Sequence, residues 1–304
     1  MTYFLSAGER QIDLSSPICM GIINATPDSF SDGSELASSK SAGFEVDLDK
    51  VLGRTEVFVN EGAGIIDIGG ESTRPGAAEV SVEEELDRVI PIVEAIRKNF
   101  DVYVSVDTSS TVVMTEAINA GVELINDIRA LSNPGTLEVI AESNAAVCLM
   151  HMQGQPRTMQ QDYQYKDVVG EVVDFLKQRV NACESAGISK GRILVDPGFG
   201  FGKSLEHNFQ LLKNLSQFST LNLPILVGIS RKSMIGGIVN RPPGERVAGS
   251  IAATAMALEN GASIVRTHDV AATVDAIRVH SAYTQAWEAL LIGAPDTLKL
   301  LSQN

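Results

Sequence analysis

The chain has 304 residues, 44% of them hydrophobic and 20% charged, with a formal net charge of −14 and a pI near 4.7. Those proportions are ordinary for a soluble globular protein, and the acidity argues against a nucleic-acid or anionic-membrane surface, which needs a basic face. No apolar run approaches a membrane span and the N-terminus does not read as a signal peptide, so a cytoplasmic protein is expected, with Cys19, Cys148 and Cys183 as buried reduced thiols.

Residues 4–14 alternate around Ala7-Gly8 and suggest a small hairpin, an N-terminal extension within residues 1–16. Eight short apolar, β-branched runs follow, and nearly every one ends in a polar residue. Residues 18–23 run into Asn24, 65–68 into Gly69-Gly70-Glu71-Ser72-Thr73-Arg74, 102–106 into Asp107, and 122–125 into Asn126-Asp127. Residues 146–150 lead to His151, 193–195 to Asp196, 225–228 to Ser230-Arg231-Lys232, and 264–265 to Arg266 and His268. Helical periodicity occupies 82–99, 109–120, 134–143, 167–186, 205–219, 246–260 and about 271–287, with Gly121, Gly187 and Gly261 placed as helix stops. Strand and helix alternate with no Pro/Gly/Ser-rich linker, so residues 1–304 read as one α/β domain. A core has no use for a polar residue at every strand end. Eight parallel strands delivering one polar group each to a common rim would produce it, which is the pattern of a (β/α)8 TIM barrel with its active site at that rim.

The loops carry the chemistry. The first, Asn24-Ala-Thr-Pro-Asp-Ser-Phe-Ser-Asp-Gly33, continues as a polar stretch to about Asp47, and a connection of that length is usually functional or disordered. Residues 69–77 place Arg74 beside glycines, a bidentate fork where backbone can approach a phosphate. Arg74, Arg231, Lys232 and Arg266 form a cationic set near the strand tips of an acidic chain, aimed at an anionic ligand. Asp196-Pro-Gly-Phe-Gly-Phe-Gly-Lys203-Ser204 ends like a nucleotide-binding P-loop, but Pro197 stands where that motif needs its first glycine. What remains is a strand-tip carboxylate and two aromatics, Phe199 and Phe201, suited to flank a planar ligand or to fill core. His151, His207, His268 and His280 are scattered and fit no zinc spacing, while Asn24 with a phosphorylated ligand would suit Mg2+. His151, between Met150 and Met152, reads equally as a functional or a core-edge histidine.

Met20-Gly-Ile-Ile-Asn-Ala-Thr-Pro-Asp-Ser-Phe-Ser-Asp-Gly33, residues 69–77, Asp196 to Lys203 and Ser230-Arg-Lys-Ser-Met-Ile-Gly236 together closely resemble bacterial dihydropteroate synthase, over almost the whole chain. The resemblance implies a Mg2+-dependent cytoplasmic homodimer that joins 4-aminobenzoate to 6-hydroxymethyl-7,8-dihydropterin diphosphate in folate biosynthesis, a target of sulfonamides. It further implies a pterin site of Asp107, Asn126, Met150, Asp196, Phe201 and Lys232. Asn24, Thr73, Arg266 and His268 would take the diphosphate, Asn24 also the metal, and Phe30, Thr73, Arg74 and Ser233 the aminobenzoate. Asp107, Asp196, Lys232, Arg266 and His268 would carry the chemistry, a dissociative substitution. The first loop departs from the family in reading Asp32-Gly33-Ser34 and in its length. The alternatives are a pterin-binding methyltransferase domain, which would not need the first-loop motif or residues 230–233, and a non-catalytic pterin-binding paralogue, which would bind the ligand without diphosphate release.

Overall fold

The structure, a computed structural model, describes residues 3–26, 46–72, 80–155, 158–159 and 163–292, with side chains through 285. Phe4–Ala7 (β1) and Arg10–Asp13 (β2) pair as the antiparallel hairpin expected from the alternation around Ala7-Gly8. Eight parallel strands follow: Ile18–Asn24 (β3), Ile65–Gly69 (β4), Tyr103–Asp107 (β5), Leu124–Asp127 (β6), Ala146–Met150 (β7), Ile193–Asp196 (β8), Leu226–Gly228 (β9) and Ile264–Thr267 (β10). Their order runs from β8 back to β3 and then through β10 to β9, and a Val195–Ile225 bridge joins β8 to the start of β9, closing the ring. This is the (β/α)8 barrel.

Parallel strands covered on both faces must be apolar throughout rather than alternating, and β4, β7 and β8 are buried at every residue. The barrel's lower interior is filled by Met20, Ile65, Leu124, Leu194, Leu226 and Ile264, and the hairpin plugs it from below with Leu5, Ala7 and Ile12.

The helices are Leu48–Glu61 (α1), Val82–Asn99 (α2), Thr111–Asn119 (α3), Thr136–Glu142 (α4), Val168–Ser185 (α5), Leu205–Lys213 (α6), Ser233–Val239 (α7), Val247–Glu259 (α8) and Val270–Ile292 (α9). Helix α1 has no counterpart in the sequence-based expectation. Gly53 and the β-branched Thr55, Val57 and Val59 dilute its helical signal, yet Asp47 caps it and Phe58 packs it so tightly on β3 that a Cβ at Gly21 would lie 2.8 Å from the ring. The helix expected over 205–219 is α only to Lys213, and Leu215–Leu221 is a separate 3-10 segment. Ser81, Ser110, Asp167 and Ser204 each accept a backbone N–H at the first turn of their helix, which fixes the direction in which each helix leaves the rim. All three cysteines are buried and unbridged.

Candidate active site

The carboxyl ends of the eight strands form one rim, and the register sets the heights of the side chains on it. Asn24 pairs with Gly69, Gly69 with Asp107, Asp107 with Asn126, and Met150 with Asp196, so these polar ends lie level around the mouth. Ser230, Arg231 and Lys232 follow β9, while Arg266 and His268 flank the end of β10. Ser233 is the first residue of α7, with Lys232 as its cap position. The structure therefore brings Asn24, Asp107, Asn126, Met150, Asp196, Phe201, Lys232, Ser233, Arg266 and His268 to one end of the barrel. Phe30, Thr73 and Arg74 lie outside the described residues.

One ion network crosses the mouth. Arg266 donates from Nε to Asp67 at 2.6 Å and from Nη2 to Asp107 at 2.9 Å. Asp67, fully buried, also accepts from Ser105 Oγ at 2.6 Å and from Asn126 Nδ2 at 3.4 Å. Burial pushes the Asp107 carboxyl up to about 7, against the pull of Arg266, and the neighbouring charge of Asp67 adds to the rise. The two carboxylates in turn hold the Arg266 guanidinium firmly charged, overriding its burial. Asp67, which anchors Arg266 and Asn126 at the mouth, is absent from the sequence-based set. It sits inside an apolar run rather than at its end, and nothing in the sequence marks its partner across the barrel.

Asp196 is 5% exposed; burial raises its pKa, and Lys232 is the strongest opposing influence. Its Oδ1 accepts from the Gly198 amide at 2.7 Å. Lys232 lies with Nζ 4.6 Å from the centre of the Phe201 ring and donates to the Phe199 carbonyl at 2.5 Å. Desolvation brings the lysine down to about 8, opposed by Asp196 and reinforced by Arg266. The two phenylalanines divide their roles, Phe199 being fully buried in the core while Phe201 stays partly open under the lysine.

Other polar tips are consumed locally. Asp127 accepts from Ser109 Oγ and from the amides of Arg129 and Leu131, organising a turn in which Ala130 and Leu131 have positive φ. Arg231, expected among cations aimed at an anion, instead makes a two-pronged pair with Asp269 and is correspondingly removed from that set. His268 is held by Ser230, whose Oγ lies 3.1 Å from Nδ1 and accepts its backbone amide at 3.2 Å. His151 is a buried core-edge residue, 5% exposed and edge-on to Phe175. Beside Asp107 a cleft opens between Glu71, Ser72, Thr108, Ser109 and Arg129. Among the described residues no cluster of His, Cys, Asp and Glu could hold a metal on its own.

The family model described as pterin binding enzyme matches residues 20–268. The dihydropteroate synthase of Haemophilus influenzae is 52% identical over 282 residues, spanning 93% of this chain and 99% of the relative. The crystal structure of the Yersinia pestis dihydropteroate synthase with a sulfonamide drug complex superposes with a TM-score of 0.88 at 50% identity, covering 93% of this chain and 99% of that one. The Burkholderia cenocepacia dihydropteroate synthase complexed with 7,8-dihydropteroate gives a TM-score of 0.84 at 44% identity, over 95% and 99% of the two chains.

Proposed function

The chain belongs to the dihydropteroate synthase family of pterin binding enzymes, and from that premise we propose that its barrel mouth joins 4-aminobenzoate to 6-hydroxymethyl-7,8-dihydropterin diphosphate. It is a transferase, and the products are 7,8-dihydropteroate and diphosphate. One observation supports the reading most: a buried strand-tip carboxylate, Asp196, stands beside Lys232 and the half-open Phe201 ring, an acceptor, a donor and a flat apolar wall in one place. That is what a pterin requires, since its amidine-like edge offers two N–H groups to a carboxylate and its opposite edge accepts.

In this reading Asp196 takes the donor edge, Asn126 and Asp107 meet the neighbouring polar atoms, Lys232 lies over the ring, and Met150 and Phe201 wall it. The carbon–oxygen bond to diphosphate breaks with its electron pair leaving on oxygen. The resulting cation is delocalised into the electron-rich ring, where the carboxylate of Asp107 offsets it. The lone pair of the arylamine nitrogen then forms the new carbon–nitrogen bond and that nitrogen sheds a proton. Arg266 and His268, with Thr73, receive the charge growing on the leaving group, where fixed donors stabilise a transition state most. Phe30, Thr73, Arg74 and Ser233 form the aminobenzoate site.

Mg2+ fits the donors present. The Asn24 amide oxygen stands at the end of β3, close enough that a Cβ on Gly69 would lie 3.6 Å away, and a hard cation of this kind takes one or two protein oxygens alongside phosphate. Bound there, it would neutralise charge on the departing diphosphate. We further propose a cytoplasmic homodimer. Met256, Val279 and Tyr283 leave apolar surface on the adjacent α8 and α9, and among the described residues no helix is long and apolar enough to cross a membrane. Sedimentation equilibrium at micromolar protein checks the dimer.

The assay mixes purified protein, Mg2+ and the dihydropterin diphosphate, and follows diphosphate release with and without 4-aminobenzoate. Release matched by dihydropteroate is the expected result. Pterin binding with no condensation would point to the methyltransferase-type or non-catalytic reading, and no pterin binding would remove the proposal.

A further inference from the structure

A lysine that the reaction does not use lies behind the loop following β8. Lys203 is 3% exposed. Its Nζ donates to the carbonyl oxygens of Gly198 at 2.9 Å, Phe201 at 3.0 Å and His151 at 3.3 Å, and lies 2.9 Å from His151 Nδ1. Three carbonyls and Nδ1 make four acceptors around Nζ; the ammonium's three N–H bonds can serve them with the longest contact, to the His151 carbonyl, sharing a proton, whereas the neutral amine has only two. His151 must then present a lone pair at Nδ1 and carry its proton on Nε2. Burial, then the charge of Lys203, holds His151 down at about 2, so the ring is neutral. Burial also pushes Lys203 downward, and the Asp196 carboxylate is the influence that opposes it; the count of acceptors decides for the charged form.

The loop's own ties are few: Gly198 N–H donates to Asp196 Oδ1 at 2.7 Å and Phe201 N–H to the Gly198 carbonyl at 3.1 Å. Gly198, Gly200 and Gly202 all have positive φ. A Cβ on Gly198 would lie 1.9 Å from the His151 carbonyl oxygen, and one on Gly202 2.4 Å from that of Gln153. Backbone therefore rests directly on backbone, with no side chains between to interlock. Polar ties supply the order instead. Gly200 donates to Asn208 Oδ1 at 2.6 Å and Tyr165 donates to the Gly202 carbonyl at 2.9 Å. Lys203 alone among these reaches carbonyls on both sides of the loop's centre and on the end of β7.

We propose that Lys203, seated on neutral His151, is a positioning residue for the pterin: its ammonium ties the loop after β8 to the end of β7 and thereby aims Asp196 and Phe201 into the mouth. The inference rests on the pterin site proposed above. It carries a selectivity, because the residues proposed for the aminobenzoate, Phe30, Thr73, Arg74 and Ser233, belong to other parts of the chain. Loss of the tie is felt by one substrate only.

Lys203→Met keeps the aliphatic stem and removes every donor. The expected result is a KM for the dihydropterin diphosphate raised about tenfold or more, the scale of charged hydrogen bonds, with the 4-aminobenzoate KM moved less than about twofold. In ligand-free protein the amides of Gly198 to Gly202 should exchange faster while β7 and β8 keep their protection. Lys203→Ala should recover its pterin KM in added n-propylammonium and not in n-propanol. An unchanged pterin KM, or an equal rise for both substrates, overturns the proposal. If Lys203→Met does not fold, His151→Leu removes one of the four acceptors and should show the same selectivity at smaller size; equal effects on both substrates there would overturn it too. If the unaltered enzyme releases no diphosphate, the functional reading has failed, and hydrogen exchange in the variant still decides whether Lys203 orders the loop.

Discussion

Replacing Asp67 by alanine should destabilise the protein more than any single change at the rim, because three donors converge on that buried carboxylate. Arg266 would keep its charge and lose one of its two counter-ions, while Ser105 and Asn126 would lose an acceptor in a dry site. Breaking a buried pair from one side costs about 3–5 kcal/mol. With an unfolding entropy of about 2.1 cal/mol/K per residue, 304 residues give roughly 0.6 kcal/mol/K, so Tm should fall by about 5–8 °C. Asp67→Asn should lose about half of that, since its amide oxygen can meet Arg266 if the Ser105 hydroxyl accepts from the amide nitrogen. The asparagine variant also tests the electrostatics. Asp107 is raised from 3.8 to about 7 in the folded state, so the native protein holds a proton there that the unfolded chain has released. That contribution to stability is complete below pH 3.8 and is lost as pH rises through about 7. Removing the charge of Asp67 lowers the Asp107 pKa and shrinks the contribution. The deficit of Asp67→Asn relative to the parent should therefore be larger at pH 5.5 than at pH 8, read by urea unfolding at both. A fall in Tm under about 2 °C for the alanine variant, or a deficit that grows with pH, would refute the reasoning.

Glu85, 5% exposed and with Oε1 lacking a hydrogen bond among the described residues, is pushed up to about 7, mainly by burial. Its contribution is present below its ordinary 4.5 and lost as pH rises through about 7, so Glu85→Gln should gain on the parent above neutrality, by up to about 3 kcal/mol at 1.36 kcal/mol per pKa unit; parallel urea midpoints at pH 6 and 8.5 would contradict this. Burial holds the Cys19 thiol up at about 12, Cys183 at about 11 and Cys148 well above its usual range, so a disulfide reagent should titrate no thiol in the folded protein and all three after unfolding. Ser81→Ala removes the hydroxyl that caps α2 and should cost about 1 kcal/mol in urea unfolding with the m-value unchanged.

The barrel was legible because its physics repeats. Buried parallel strands are short apolar runs, each run must end at the rim, and the first residue past it is free to be polar; eight such endings need no alignment to be seen. The same rule fails where a polar group is needed below the rim. Asp67 lies inside the run 65–68, two residues before the strand's end, and its partner Arg266 is 199 residues away. The rule also cannot tell a cation that serves a ligand from one that serves the fold. Arg231 and Arg266 both follow or end a buried strand, but Arg231 turns back to Asp269 whereas Arg266 spans two carboxylates across the mouth. Asp127 and Lys203 show the same limit, since both look like site residues in the sequence and are spent on holding turns. Helix α1 escaped for a local reason, its glycine and β-branched residues hiding a helix that tertiary packing enforces.

The charges at the mouth are arranged to orient rather than to attract. At the mouth Asp67 and Asp107 face Arg266 and Asp196 faces Lys232, with Lys203 behind it, so much of the buried negative charge is offset locally inside a chain of net charge −14. Arg266 is tied at two nitrogens to Asp67 and Asp107, so that part of the network is held in place before a ligand arrives, while Asp196, with one oxygen accepting from Gly198, keeps acceptor capacity for one. Long-range attraction for an anion must then come from groups outside this network. In the proposed reading those would be His268, Mg2+ held by Asn24, and Thr73 and Arg74. Arg266, with two of its nitrogens already bound to carboxylates, would on that reading enter the reaction as a fixed donor whose direction is set before diphosphate binds. On the proposed assignment the floor of the site would read the ring while its edge handles the charge, which would let one acidic protein hold an electron-rich heterocycle and release a polyanion from it.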